Sequence, residues 1–165
     1  MFYIVIGQSG AGKTTFVNQK FLKEPLILKK DEIYYTVSAN GFIALGKYGT
    51  GNRTDGTDTL SYSAKEAIKR QLRKFAIQNA DVVLEGDRIN NRDIMEFVSR
   101  LGVKTKMYLV TCKPQTSMER LRTAGSTITP KFVKATRTKS KNIYLEYASR
   151  FDGEVINNDQ KREGH

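Results

Sequence analysis

The fold class is indicated by eight residues near the beginning of the chain: Gly7-Gln8-Ser9-Gly10-Ala11-Gly12-Lys13-Thr14. They match the pattern G-x-x-x-x-G-K-[ST] at every specified position. The preceding residues, Phe2 to Ile6, form a continuous apolar run that is typical of a buried strand, and a helix is predicted to follow. Glycines allow successive backbone N–H groups to converge on phosphate oxygens at the positive end of that helix. The stretch therefore predicts a phosphate-binding turn between a strand and a helix.

Two side chains of this turn have predicted chemical roles. Lys13 is expected to place its ammonium group on the β- and γ-phosphates of ATP, and the Thr14 hydroxyl is expected to bind Mg²⁺. ATP and Mg²⁺ are therefore the predicted cofactors. The predicted ATP-binding set is Gly7, Gln8, Ser9, Gly10, Ala11, Gly12, Lys13, Thr14 and Thr15.

The rest of the chain alternates apolar runs with amphipathic stretches, which is typical of an α/β fold. Its 165 residues correspond to one domain, predicted to span 1–165. A mainly parallel five-stranded sheet with helices on both faces is expected. The predicted strands are Phe2–Ile6, Pro25–Leu28, Asp81–Leu84, Val103–Val110 and Glu154–Ile156. Asn90 or Asn91 is predicted to cap a helix that ends at Gly102, and Thr129-Pro130 to begin another.

The composition excludes several kinds of site. The chain has one cysteine, Cys112, and one histidine, His165, so neither an internal disulfide nor a Cys/His zinc site is expected. Catalysis by a Ser-His-Asp or Cys-His arrangement is excluded as well, because no internal histidine can act as the base. No apolar run approaches the roughly 20 residues that span a membrane. The expected location is a reducing cytoplasm.

The net charge points to an anionic partner. Twenty-eight Lys and Arg residues face 17 Asp and Glu residues, which gives a formal charge of +11. Such a surface attracts polyanions such as nucleic acid, although excess lysine can also simply keep a protein soluble. The stripe formed by Lys65, Lys69 and Arg73 on a predicted helix is open to both interpretations.

The order of these features resembles that of the small P-loop kinases, a group that includes nucleotide, shikimate, gluconate and polynucleotide kinases. The resemblance rests on the phosphate-binding turn and on four weaker segments: Leu28-Lys29-Lys30-Asp31, Val82-Val83-Leu84-Glu85-Gly86, Met118-Glu119-Arg120-Leu121-Arg122 and Val155-Ile156-Asn157-Asn158. It implies a three-layer P-loop kinase fold with an arginine-rich lid at about residues 120–140.

The resemblance also implies roles for individual residues. In phage polynucleotide kinases an Asp after the second strand is the catalytic base, which places Asp31 in that role. If the second strand lies parallel and beside the first, its carboxyl end also opens onto the ligand crevice. Alternatively, Asp31 could cap a helix that starts at Glu32. Glu85 stands where P-loop proteins usually carry a metal-binding Asp. From the lid, Arg120 and Arg137 are expected to contact the transferred phosphoryl group, and Arg122 to bind ATP.

The acceptor is expected to bind at a Gly-rich insertion, residues 39–59. Its Tyr48, Arg53 and Asp58, together with Arg88, combine an aromatic surface, cations and a carboxylate, which suits a nucleotide or nucleic acid. The insertion resembles the acceptor loop of phage DNA-modifying kinases, which phosphorylate the hydroxymethyl group of 5-hydroxymethyluracil within DNA. A hydroxyl group of nucleic acid, on a modified base of DNA or at a 5′ end, is therefore the expected acceptor. Two alternatives stay open: a kinase of a small nucleotide, nucleoside or metabolite, and a binding module that hydrolyses ATP without an acceptor.

Overall fold

The computed structural model of the chain describes residues 1–49 and 55–159. Within these ranges the strands are β1 Phe2–Gly7, β2 Leu26–Lys30, β3 Tyr34–Ser38, β4 Ile43–Leu45, β5 Val82–Glu85, β6 Thr105–Thr111 and β7 Gly153–Asn157. The α-helices are α1 Lys13–Lys20, α2 Lys65–Ile77, α3 Arg92–Arg100, α4 Pro114–Thr123 and α5 Pro130–Tyr147. A single 3₁₀ turn, Thr57–Thr59, precedes α2.

The strands form one mixed, mostly parallel sheet in the order β2-β3-β4-β5-β1-β6-β7. The five strands from β4 to β7 in this order run parallel, whereas β3 is antiparallel to both of its neighbours. The predicted α/β fold with a mainly parallel sheet is confirmed. The parallel part contains five strands, as expected, but β4 replaces the predicted second strand.

The predicted placement of the second strand is wrong. The segment 25–28 contributes to β2, which lies at the far edge of the sheet, with β3, β4 and β5 between it and β1. Most of β2 is exposed, whereas Ala44 and Leu45 of the shorter β4 are buried. The pattern of such a short apolar run does not show whether the strand lies at the edge or in the interior of a sheet.

Helices cover both faces of the sheet, as predicted. Alternate residues of β1 point to opposite faces, so Phe2, Ile4 and Ile6 pack with α2, α3 and α5, while Val5 packs with Val17 of α1. The sheet is thus the middle of three layers.

Sequence signals for helix ends are confirmed at two caps. The Asn91 side chain accepts a hydrogen bond from the Ile94 backbone N–H at 3.0 Å, and Thr129 Oγ1 accepts one from the Phe132 N–H at 3.3 Å. Helix α3 ends before Gly102, which has a φ of +69°. Within the described ranges, the structure has no helix that is long and apolar enough to cross a membrane.

Candidate functional site

The phosphate-binding turn connects β1 to α1, as the sequence predicts. Gly12, the residue before α1, has a φ of +92°, a backbone conformation that side chains disfavour. Lys13 Nζ donates hydrogen bonds to the carbonyl oxygens of Gly7 (3.1 Å) and Gln8 (2.9 Å). Burial lowers the pKa of this ammonium group, because it is removed from water. Lys13 therefore lies over the turn, where phosphate would bind.

Side chains from α4 and α5 support the phosphate-binding turn through hydrogen bonds. Gln8 is 1% exposed, and its Nε2 donates to Ser117 Oγ at 2.7 Å and to the Cys112 carbonyl at 3.0 Å. The Ser9 backbone N–H donates to Thr136 Oγ1 at 3.1 Å. Gln8 was predicted only as an ATP-binding residue; its supporting role depends on contacts more than 100 residues away along the chain.

Of the predicted lid arginines, Arg120 is brought to the turn. Its guanidinium donates to the carbonyls of Gly10 (3.4 Å), Ala11 (3.3 Å) and Asn158 (2.5 Å). Arg122 and Arg137 are exposed on α4 and α5. None of the three lines the cavity described below. Their roles toward ATP and the phosphoryl group stay predictions.

The predicted metal ligands Thr14 and Glu85 lie together. Thr14 Oγ1 donates to Glu85 Oε1 at 2.8 Å, and the Tyr48 hydroxyl donates to Glu85 Oε2. Glu85 is 2% exposed, and this burial raises its pKa to about 7. A hydroxyl and one carboxylate fit Mg²⁺, which is usually held by one or two carboxylates together with substrate phosphates and waters. The described residues contain no cluster of three or more acidic, His or Cys side chains suited to a metal.

Tyr48 does not offer the stacking surface that the sequence analysis expected. The residue is 5% exposed, and its ring belongs to the core between the sheet and α1. The insertion folds back against Glu85: a Cβ on Gly56 would lie 2.4 Å from Glu85 Oε2. Burial and the neighbouring carboxylate raise the pKa of Tyr48. Its contacts make it a partner of Glu85 instead of a substrate contact.

A cavity of about 290 Å³ opens beside the phosphate-binding turn. It brings together groups of different chemistry: Lys13, Asp58, Tyr62, Asp87, Arg88 and Phe132. Asp58 lies near the end of the insertion, in the 3₁₀ turn Thr57–Thr59, and Asp87 and Arg88 follow β5. Asp87 and Arg88 thus lie beyond the carboxyl end of a parallel strand, where ligands bind in open α/β sheets.

Asp58 and Arg88, both predicted to bind the acceptor, are neighbours in this cavity. Asp58 Oδ1 accepts a hydrogen bond from the Asp87 backbone N–H at 2.9 Å and lies 3.8 Å from Arg88 Nη1. The Arg88 guanidinium lies 3.6 Å from the ring centroid of Tyr62, which is 86% exposed. Tyr62 and Asp87 were not predicted as site residues. The one available signal was the position of Asp87, two residues after β5.

The solved structures that are similar to this chain include two small kinases. The shikimate kinase of Bacteroides thetaiotaomicron matches with a TM-score of 0.51 at 18% identity, over 99% of this chain and 89% of that one. The deoxyadenosine kinase of M. mycoides with bound dATP matches with a TM-score of 0.47 at 11% identity, over 98% and 93%. The α/β fold of this chain resembles that of P-loop kinases. No protein-family model and no curated protein sequence matches it.

In this kinase-like fold, Asp31 is not where the catalytic base was expected. It lies between β2 and β3 at the sheet edge, and its Oδ2 forms an ion pair with Lys74 Nζ at 2.9 Å. It does not line the cavity. The geometric reason given for the base assignment, a strand adjacent to β1, is therefore wrong. Nor does Asp31 cap a helix, because β3 follows it.

Arg53, which was predicted to bind the acceptor, lies outside the described residues.

The basic side chains of α2 and α5 differ in their partners. Lys65 and Lys69 pair with Asp93 at 3.2 and 3.0 Å, and Arg73 lies over the Phe97 ring. On α5, Lys131, Lys134, Arg137 and Lys141 are exposed. In residues 1–49 and 55–159, no carboxylate lies within ion-pair distance of these four. Lys131, Lys134 and Lys141 share one side of α5. The same helix lines the cavity with two other residues, Phe132 and Thr136.

Proposed function

We propose that this protein is an ATP-dependent kinase that transfers the γ-phosphoryl group to a hydroxyl group of a nucleic acid, with a hydroxymethylated base as the acceptor. The observation that carries the proposal is the shared cavity, which joins Lys13 of the phosphate-binding turn to Asp58, Asp87 and Arg88. Phosphoryl transfer requires cations around the phosphates and a group that accepts the proton of the attacking hydroxyl. Both kinds of group line this one cavity.

In this mechanism Asp58 is the general base. Its Oδ1 is held by the Asp87 N–H, which fixes the carboxylate against the cavity. Asp87 is the weaker candidate, because its Oδ1 accepts a hydrogen bond from Lys139 at 3.2 Å, whereas Arg88 Nη1 lies 3.8 Å from Asp58 Oδ1. A base must reach the acceptor hydroxyl within hydrogen-bond distance. Asp58 would accept that proton while the acceptor oxygen attacks the γ-phosphorus of ATP. The bond between the γ-phosphorus and the bridging oxygen would then break, and ADP would leave.

Cations of the site stabilise the charge on the phosphates. Lys13 would exchange its bonds to the Gly7 and Gln8 carbonyls for phosphate oxygens, and Arg88 would face the acceptor. Thr14 and Glu85 would hold Mg²⁺, which when bound would supply positive charge to offset that of the phosphates. Arg120 would position the phosphate-binding turn through the carbonyls of Gly10 and Ala11.

The charge distribution supports a polyanionic acceptor. The exposed cations of α5 lie on the helix whose Phe132 lines the cavity, and they are available for backbone phosphates. Lys65 and Lys69 of α2, in contrast, already pair with carboxylates. The α5 surface, defined as Lys131, Lys134, Arg137 and Lys141, is therefore the proposed DNA contact.

A second candidate is a kinase of a free nucleoside or another small metabolite. The size of the cavity, about 290 Å³, favours it, because this volume lies at the lower end of the range for small-ligand sites. A binding module that only hydrolyses ATP has less support, since acceptor-type groups line the same cavity as Lys13. A reducing cytoplasm, that of the host if the chain comes from a phage, stays the predicted location.

One labelling experiment distinguishes these functions. The protein is incubated with γ-labelled ATP, Mg²⁺ and each of four acceptors: plain duplex, duplex with 5-hydroxymethyluracil, single strands and free nucleosides. Label in the modified duplex alone supports the proposed acceptor. If free nucleosides are labelled as efficiently as the modified duplex, the second candidate is supported. Release of phosphate with no labelled acceptor contradicts kinase activity.

A further inference from the structure

Asn90, a residue of the cavity lining, has a buried amide with an unused acceptor oxygen. The residue is 3% exposed, follows the Asp87-Arg88 segment and lines the same cavity as Lys13. Its Nδ2 donates to Ser140 Oγ of α5 at 2.9 Å. Its Oδ1 has no hydrogen-bond partner in the described part of the chain.

An acceptor oxygen in this position is costly unless a donor reaches it. Buried polar atoms in proteins almost always have a partner, because losing water without replacement is unfavourable. No donor of the described residues, including the cationic side chains Lys13 and Arg88 of the same cavity, lies within hydrogen-bond distance of Asn90 Oδ1. The missing donor is therefore expected to come from a ligand in the cavity.

The aromatic residues of the cavity define the shape of that ligand. Tyr62 is 86% exposed and Phe132 is 47% exposed, and both line the cavity. Exposed rings of this kind are platforms for stacking flat heterocycles. A flat ring held by them could present an edge to Asn90.

We propose that Asn90 is a specificity-determining residue of the acceptor site, whose Oδ1 accepts a hydrogen bond from an N–H group of a nucleobase. This inference rests on the proposed function, because it assigns the base of the acceptor to the cavity next to Lys13. Ser140 acts through Asn90 as a positioning residue, since it holds Nδ2 and so leaves Oδ1 for the ligand.

The expected effect is large. Sites built to hydrogen-bond a substrate N–H or O–H reject analogues without it by up to about 10⁴-fold, because the site's own polar group is left unpaired. We expect at least about 10²-fold discrimination here. Replacement of Asn90 by a side chain of similar size without an acceptor should remove it.

The test compares two oligonucleotides, one with a single 5-hydroxymethyluracil and one with the same base methylated at N3, which removes the ring N–H. Affinity is measured without ATP by fluorescence anisotropy, and kcat/KM is measured with labelled ATP. The wild-type protein should prefer the N–H form in both measurements. In Asn90→Leu the two oligonucleotides should become nearly equivalent, with ATP binding unchanged in a thermal-shift titration. The two free nucleosides, measured in parallel, show whether the base must be part of a strand.

Gln71→Leu is the matched control. Gln71 is also 3% exposed with an unpartnered side-chain oxygen, but it does not line the cavity. This variant should discriminate like the wild type. If Asn90→Leu does not fold, Ser140→Ala is used, and its discrimination should fall because the amide is no longer held.

The outcomes separate this inference from the proposed function. Equal use of both oligonucleotides by the wild type, or undiminished discrimination in Asn90→Leu, overturns the role of Asn90 even if phosphate is transferred. Discrimination in binding without any transfer supports the role of Asn90 and contradicts kinase activity. Absence of both binding and transfer contradicts both.

Discussion

The Tyr48 hydroxyl donates a hydrogen bond to the buried carboxylate of Glu85, across 37 positions of the chain. The same carboxylate accepts from Thr14 through its other oxygen. The Gly-rich insertion, the end of β5 and the phosphate-binding turn thus meet at the carboxylate of Glu85. The folded insertion thereby forms one wall of the proposed Mg²⁺ site.

Tyr48→Phe tests this contact. The substitution leaves Glu85 Oε2 buried without its donor, so the free energy of unfolding should fall by about 1–3 kcal/mol. The Mg²⁺ concentration that supports half-maximal activity should also rise. Urea unfolding and Mg²⁺ titration measure the two effects. Tyr35→Phe, which changes a ring packed on Phe75 at 5.3 Å, is the control and should leave the Mg²⁺ requirement unchanged.

The raised pKa of Glu85 predicts a pH-dependent stability in the absence of Mg²⁺. Between its ordinary value of 4.5 and the folded value of about 7, the folded state binds more protons than the unfolded state. Stability should therefore fall as pH rises through this window, by at most about 3 kcal/mol, and then level off. Glu85→Gln should remove this part of the pH dependence and be more stable than the wild type at pH 8, yet inactive. Urea unfolding at several pH values measures it; an unchanged slope in Glu85→Gln would contradict the raised pKa.

Lys13→Ala should abolish phosphoryl transfer and leave the protein folded. Its ammonium group is removed from water at the turn, as the lowered pKa indicates, so its loss should not reduce the melting temperature. Transfer assays and thermal melting measure the two properties. Lys20→Ala, at the end of the same helix, is the control with expected normal turnover. Full turnover in Lys13→Ala would show that the turn does not bind the phosphates of ATP.

Three carboxylates can be compared as the catalytic base. Asp58→Asn should lower kcat by about 10²- to 10⁴-fold, the usual contribution of a general base. Asp87→Asn should cost less, because its side chain is paired with Lys139. Asp31→Asn should be near normal, since only an exposed ion pair with Lys74 is lost. A severe loss in Asp31→Asn with normal Asp58→Asn would reverse the assignment.

The α5 surface predicts a salt-dependent affinity for DNA. Each phosphate contact contributes a slope of about −0.9 in log affinity against log salt on duplex. The triple variant Lys131→Gln, Lys134→Gln, Lys141→Gln should reduce the slope by about 0.9 for every contact that it removes. The variant Lys65→Gln, Lys69→Gln is the control and should have little effect, because both lysines are paired with Asp93. Equal losses in the two variants would argue for a general charge effect.

Local features of the sequence were sufficient for the phosphate-binding turn, the helix caps and the fold class. The pattern from Gly7 to Thr14 specifies backbone geometry within eight residues, and Asn91 and Thr129 cap helices through contacts three residues away. Such interactions are encoded by near neighbours, so a pattern is enough to predict them. Thr14 and Glu85, which the P-loop pattern and the resemblance to P-loop kinases assign to the metal, also lie together in the structure.

The arrangement of residues around the proposed acceptor site was determined by contacts between segments that are distant in the sequence. Whether segment 25–28 lies beside β1 or at the edge of the sheet depends on the packing of the whole sheet, and its place at the edge removes Asp31 from the site. The burial of Tyr48, the stacking of Arg88 on Tyr62 and the free oxygen of Asn90 likewise depend on how the insertion and α5 fold against β5. An exposed and a buried tyrosine are identical in sequence, because burial is a property of the neighbours that tertiary packing supplies.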